Sequence, residues 1–111
     1  MISEDSDQAL VDAQNRQALQ RQTERDDLVW LMGEARGRRV LTRVLERAGV
    51  NRTSFNSDSS VMAFSEGRRD MGLWLQAELI DASFDGYLHT LTECAERKWP
   101  ISLQHPQPIP P

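Results

Sequence analysis

Apolar residues recur with helical spacing through the middle of the chain and thin out toward both ends. From Glu4 to about Gln22 the only sizeable ones are Leu10, Val11 and Leu19, set among Gln, Asp, Arg and Ala. That composition favours a helix but supplies no continuous apolar stripe. It predicts a frayed or disordered segment in isolation. On a partner surface the segment becomes a long helix running into Asp27, because no glycine or proline interrupts it before Gly33. In "DDLVWLM" two acids precede five apolar residues, and Gly33 then predicts a break. A second helix beginning between Glu34 and Arg38 puts Val40, Leu41, Val44, Leu45 and Ala48 on one stripe. Gly49 closes it as a left-handed C-terminal cap, with Val50 making the accompanying apolar contact.

"NRTSFNSDSS" has no periodicity and reads as a loop of residues that compete for backbone hydrogen bonds. Asp58, Ser59 or Ser60 caps a third helix reaching about Asp81. On it Val61, Phe64, Met71, Leu75 and Leu79 share one side, while Met62, Leu73 and Ile80 lie about a third of a turn away. An arc this wide predicts a central helix with two neighbours. Ser83 or Asp85 caps a fourth helix whose face is Phe84, Tyr87, Leu88, Leu91 and Ala95, ended by Trp99-Pro100. All five prolines fall in the last twelve residues, which predicts an extended or disordered arm. No period-two alternation persists, so the fold class is all-α: three or four helices, an extended N-terminal helical arm and a Pro-rich C-terminal arm. The expected division is a polar arm over 1–24, a helical domain over 25–97 and a Pro-rich tail over 98–111.

Composition excludes several chemistries. Cys94 is the single cysteine, so neither an internal disulfide nor a cysteine-based zinc site can form. There is no basic, apolar leader and no run of apolar residues long enough to span a membrane, which predicts a cytoplasmically made protein without a membrane span. The net charge of −4 hides a segregation: residues 1–27 carry seven acids and three arginines, 34–52 six arginines and two acids, 53–86 six acids and two arginines. Twelve of the thirteen bases are Arg, the residue suited to planar, two-pronged contacts at interfaces.

Arg36, Arg39, Arg43 and Arg47 form an edge beside the apolar stripe of the second helix, with Arg38 and Arg52 nearby. Salt bridges to acidic helices of this chain or of a partner are the first reading, and a phosphate backbone is the second. The two Gly-Arg-Arg sites, at Gly37 and Gly67, do not align in their surroundings. Their glycines read as points of close helix approach or of a loosened turn rather than as a repeat. Asp85, His89 and Glu93 recur every four residues and are read as a hydrogen-bonded ladder on a solvated face, with no metal site. Cys94 is read as a small half-buried residue. Trp30 is expected in the core. Phe55 is expected to fold back as a plug, with an exposed, partner-facing aromatic as the alternative. Trp74 is an interface candidate, and Trp99 is placed to staple the tail. No catalytic triad, phosphate loop or paired catalytic carboxylates occur, so neither an enzyme nor a cofactor is expected.

The segments "DLVWLMGEARGRRVLTRVLERAGVNRTSF", "FSEGRRDMGLWLQAELI" and "YLHTLTEC", in that order, resemble a family of small tailed-bacteriophage proteins, over about Asp27 to Glu93. Members of that family are encoded among the virion genes of short-tailed phages and have no defined activity. The resemblance implies a virion component rather than a catalyst. The implied roles are an internal or ejected protein near the portal and tail channel, or a head-to-tail accessory, partnered by virion proteins and by further copies of itself. A nucleic-acid-binding packaging or regulatory accessory is the alternative.

Overall fold

The computed structural model describes residues 4–98. Trp99 and the proline-rich arm lie outside them. Four helices follow one another: α1 (Glu4–Gly33), α2 (Ala35–Ala48), α3 (Ser59–Ala82) and α4 (Phe84–Lys98). Among the described residues there is no strand, and the protein is all-α. No described helix is long and apolar enough to cross a membrane.

Local chemistry sets the helix ends. The Asp58 carboxylate accepts from the backbone N–H groups of Ser60 and Val61, satisfying two of the donors that open α3. Ser83 Oγ does the same for Gly86 N–H at 3.0 Å. Gly49 adopts φ 76°, and its N–H bonds the carbonyls of Leu45 and Glu46. Val50, just beyond it, packs against the core.

That core is Met32, Leu41, Leu45, Leu79 and Tyr87, surrounded by Leu28, Leu31, Val50, Leu75 and Ala82. Each helix touches the other three. Leu79 has no accessible surface, yet α3 buries only Gly72 and Leu79, whereas α2 buries Gly37, Arg38, Leu41, Thr42, Leu45 and Ala48, so the most enclosed helix is α2 rather than the expected α3. Gln76 Nε2 donates to the Tyr87 hydroxyl, which gives that buried ring a polar partner. α1 joins the body only at its end. From Glu4 to Glu24 no side chain is buried, and Arg25 makes the first long-range tie, a 2.8 Å salt bridge to Asp81 of α3.

Two glycines act as helix joints. A Cβ at Gly37 would stand 2.0 Å from the Leu31 carbonyl oxygen, so α2 can start this close to the end of α1 only without a side chain. A Cβ at Gly72 would lie 2.4 Å from Ala48 Cβ and 2.7 Å from Val50 Cγ1. Gly67 departs from the expectation of a close approach, since nothing lies within 4 Å of its would-be Cβ.

Helix rotation also differs from the apolar pattern. Of the expected side of α3, Leu75 and Leu79 do pack inward, but toward the start of the helix the inward line is Met62, Ser65, Arg69 and Gly72. Phe64 and Met71 stay 71% and 64% exposed. α4 turns Gly86, Tyr87 and Thr90 inward and leaves Phe84, Leu88 and Leu91 exposed at its margin. The reason is steric: a backbone approaches most closely where side chains are small, so the contacts at Gly72 and Gly86 decide which face packs. Trp30 is 66% exposed and outside the core. Leu28, Leu31 and Met32 take the inward side of that turn, and Trp30 falls on the other side at 100° per residue. Phe55 is 79% exposed and plugs nothing, and the loop is tied to the body through Arg52, which bonds the Glu46 carbonyl, rather than through the ring.

Candidate interaction surface

The six arginines of residues 34–52 divide by their place on α2. Arg38 falls in register with Leu41 and Leu45, three and seven residues on, and it is buried with them. Its Nε and Nη2 donate to Glu93 Oε2 at 2.6 Å and Oε1 at 3.0 Å, and its Nη1 donates to the Met32 carbonyl at 2.9 Å. One side chain thus ties the end of α1 and the middle of α4 to the start of α2. The hydrogen bond from Arg38 holds the Glu93 carboxyl below its ordinary pKa, against the opposing effect of burial. The same bond raises the Arg38 guanidinium. Glu93 is therefore an inward ion-pair partner rather than the end of a solvated ladder. Among the described residues no cluster of three His, Cys, Asp or Glu is arranged to hold a metal ion.

Arg52 donates to the Glu46 carbonyl at 2.8 Å and so satisfies an acceptor at the α2 C-terminus. The other four, Arg36, Arg39, Arg43 and Arg47, are exposed and make no salt bridge among the described residues. The acidic segments of this chain do not neutralise them.

Each side of this edge opens onto a groove. Between α2 and α4 the lining carries Arg36, Arg39 and Arg43 together with Arg97 and Lys98, against the single carboxylate of Glu46. Lys98 bonds Glu46 at 2.5 Å, and this bond is the main reason that carboxyl sits below its ordinary pKa. Half-buried Cys94 donates its thiol to the same carboxylate at 3.5 Å. Between α2 and α3 the floor is apolar, made of Val40, Val44, Ala48 and Met71, and the rim is Arg43, Arg47 and Arg68. Arg68 also lies over the Phe64 ring, 5.7 Å from its centroid. The two Gly-Arg-Arg sites therefore do different things: the first closes helices together, and the second equips an outer face. Trp74 lies apart from both grooves. It is more than half exposed and lines a third surface with Gln17, Gln20, Arg21 and Glu24 of α1.

The exposed edge is legible in the sequence, and the Arg38–Glu93 pair is not. The signal was present in the register of Arg38 with the buried leucines. It was hard to read because a guanidinium on an apolar stripe needs a partner 55 residues away to be interpretable.

No curated protein and no solved structure matches the chain. A family model does match, over residues 28–93, more than half of the sequence. The matched span opens at Leu28, which packs against the core, and closes at Glu93, the partner of Arg38. It contains both helix-joining glycines and the whole arginine edge, and on this match the chain belongs to the Bbp19-like phage protein family.

Proposed function

We propose that this phage protein is a component of the virion, an internal or ejected protein or an accessory of the portal and tail channel, present in several copies. The observation that carries the reading is the open α2–α3 face, an apolar floor ringed by arginines that find no carboxylate among the described residues. Arg, Met and aromatic residues are the types concentrated where protein interfaces bury their centres. Trp74 and Phe55 are exposed as well and serve as additional anchors. Virion proteins, along with copies of the chain itself, are the partners proposed, with no catalytic role. Mass spectrometry of purified particles tests this. The protein is expected in DNA-filled particles, and its loss from particles that have released their DNA identifies it as ejected. Absence from filled particles overturns the reading.

One observation favours nucleic acid as a second reading. α4 brings Arg97 and Lys98 to the arginine edge, which makes the positive strip wider than α2 alone provides. On this reading the isolated protein is retained on DNA at low salt, and affinity falls steeply as salt rises. Arg39→Ala/Arg43→Ala removes two contacts and flattens that slope by about two. No retention at low salt eliminates it.

A further inference from the structure

We infer that the acidic start of α1 in one copy of this protein docks into the α2–α3 groove of a second copy. The inference rests on the reading of the chain as an assembling component and names what fills its open face.

The two surfaces complement each other in charge and in pattern. Between Glu4 and Asp12, α1 carries Glu4, Asp5, Asp7 and Asp12 and no base. Asp7, Leu10, Val11 and Gln14 are spaced by three and four residues and share one face of the helix. Leu10 and Val11 are exposed there, on a stretch of helix where no side chain is buried. The groove presents the reciprocal arrangement: Val40 and Val44, one turn apart, with Arg43 and Arg47 beside them and Met71 and Arg68 opposite. No carboxylate lines it. Leu10 and Val11, with Asp7 and Glu4 on the same side of the helix and Asp5 and Asp12 turned away, meet an apolar floor flanked by arginines, and the pairing desolvates Leu10 and Val11 together with Val44 and Met71. The chain's own arm leaves its own groove open, since Met71 and Val44 remain exposed with α1 in place. A second copy therefore provides the arm. Because each copy has one arm and one groove, the contact is either reciprocal in a closed pair or head to tail in a ring.

The test uses the full chain and sedimentation velocity over a concentration series, with circular dichroism as the check on folding. Glu4→Arg/Asp7→Arg reverses the arm, and Arg43→Glu/Arg47→Glu/Arg68→Glu reverses the groove. All five positions are exposed, so the helices are retained. The wild type is expected to associate, and each reversed variant alone to associate at least roughly tenfold more weakly. Mixing the two variants restores association, because the reversed arm fits the reversed groove while the native arm fits the native groove. A wild type that stays monomeric overturns the inference, as does association indifferent to either reversal or a mixture that fails to recover. A monomeric protein that is nonetheless found in filled particles sinks this contact alone, whereas a successful charge swap in a protein missing from particles sinks the virion reading alone.

Discussion

Gly37→Ala is expected to destabilise the protein by about 3 kcal/mol, which for a domain of this size lowers the thermal midpoint by on the order of 15 °C. The new methyl group would stand 2.0 Å from the Leu31 carbonyl oxygen, with the carbonyl carbon and the Leu31 Cδ1 each at 2.9 Å. A side chain can rotate away from such a contact. A backbone carbonyl at the end of α1 cannot, so α2 must shift, and Leu41 and Leu45 leave their packed positions with it. Gly67→Ala is the matched control. It sits inside α3 with nothing within 4 Å of the added methyl, and replacing a helical glycine there is expected to stabilise by about 0.5–1 kcal/mol. Thermal unfolding followed by circular dichroism checks both. Equal midpoints for the two variants would refute the view of Gly37 as a joint.

Arg38→Met is expected to lower the midpoint by on the order of 10 °C, even though methionine fills much of the arginine stem. The cause is what the substitution leaves behind: a half-buried Glu93 carboxylate without its two hydrogen bonds, with only the half-exposed Arg97 at 3.8 Å beside it, and a Met32 carbonyl without its donor. Arg38→Met/Glu93→Met removes the stranded charge and recovers most of the loss, since an apolar pair of similar volume is often as stable as a buried ion pair. Acid titration separates the two variants. In the native protein Glu93 titrates below its ordinary value, so its contribution is present above the unfolded glutamate pKa of about 4.3 and fades as pH falls through the lower folded value. In Arg38→Met the carboxyl, left with Arg97 alone, gains a proton more readily, so its deficit relative to wild type narrows toward low pH. A deficit constant from neutral pH to pH ~3 would show that the ion pair is not its source.

These two residues and the open groove belong to one economy of burial. Five fully packed side chains make a small core for a chain of 111 residues, and domains of this size bury a limited fraction of their surface. The joints at Gly37 and Gly72 and the Arg38–Glu93 clamp hold four helices in register without a large apolar interior. Larger apolar groups, among them Phe64, Met71, Trp30 and Trp74, remain outside and available to neighbours.

The local grammar of the helices was legible from the residues. Asp58, Ser83 and Gly49 terminate elements through bonds to backbone groups within four residues, so their roles require no knowledge of distant chain. The all-α class follows equally from spacing and from the absence of breakers, whereas α1 is a continuous helix to Gly33 in the single chain, where a frayed or disordered start is expected without a partner surface. The match of glycine to close approach was legible in kind but not in place, as Gly67 illustrates. Periodicity alone left the helix rotations open, because an apolar arc has the same spacing whether it faces its own core or a neighbour. Only the tertiary structure decided that Gly72 and Gly86 mark the packed faces, that Trp30 and Phe55 stay outside, and that Arg38 alone of its cluster turns inward. The physical reason is that closest backbone approach is a property of two helices together. A single stretch of sequence determines its own hydrogen bonds and its own periodicity, and which of its faces is buried depends on what the partner helix can fit against it.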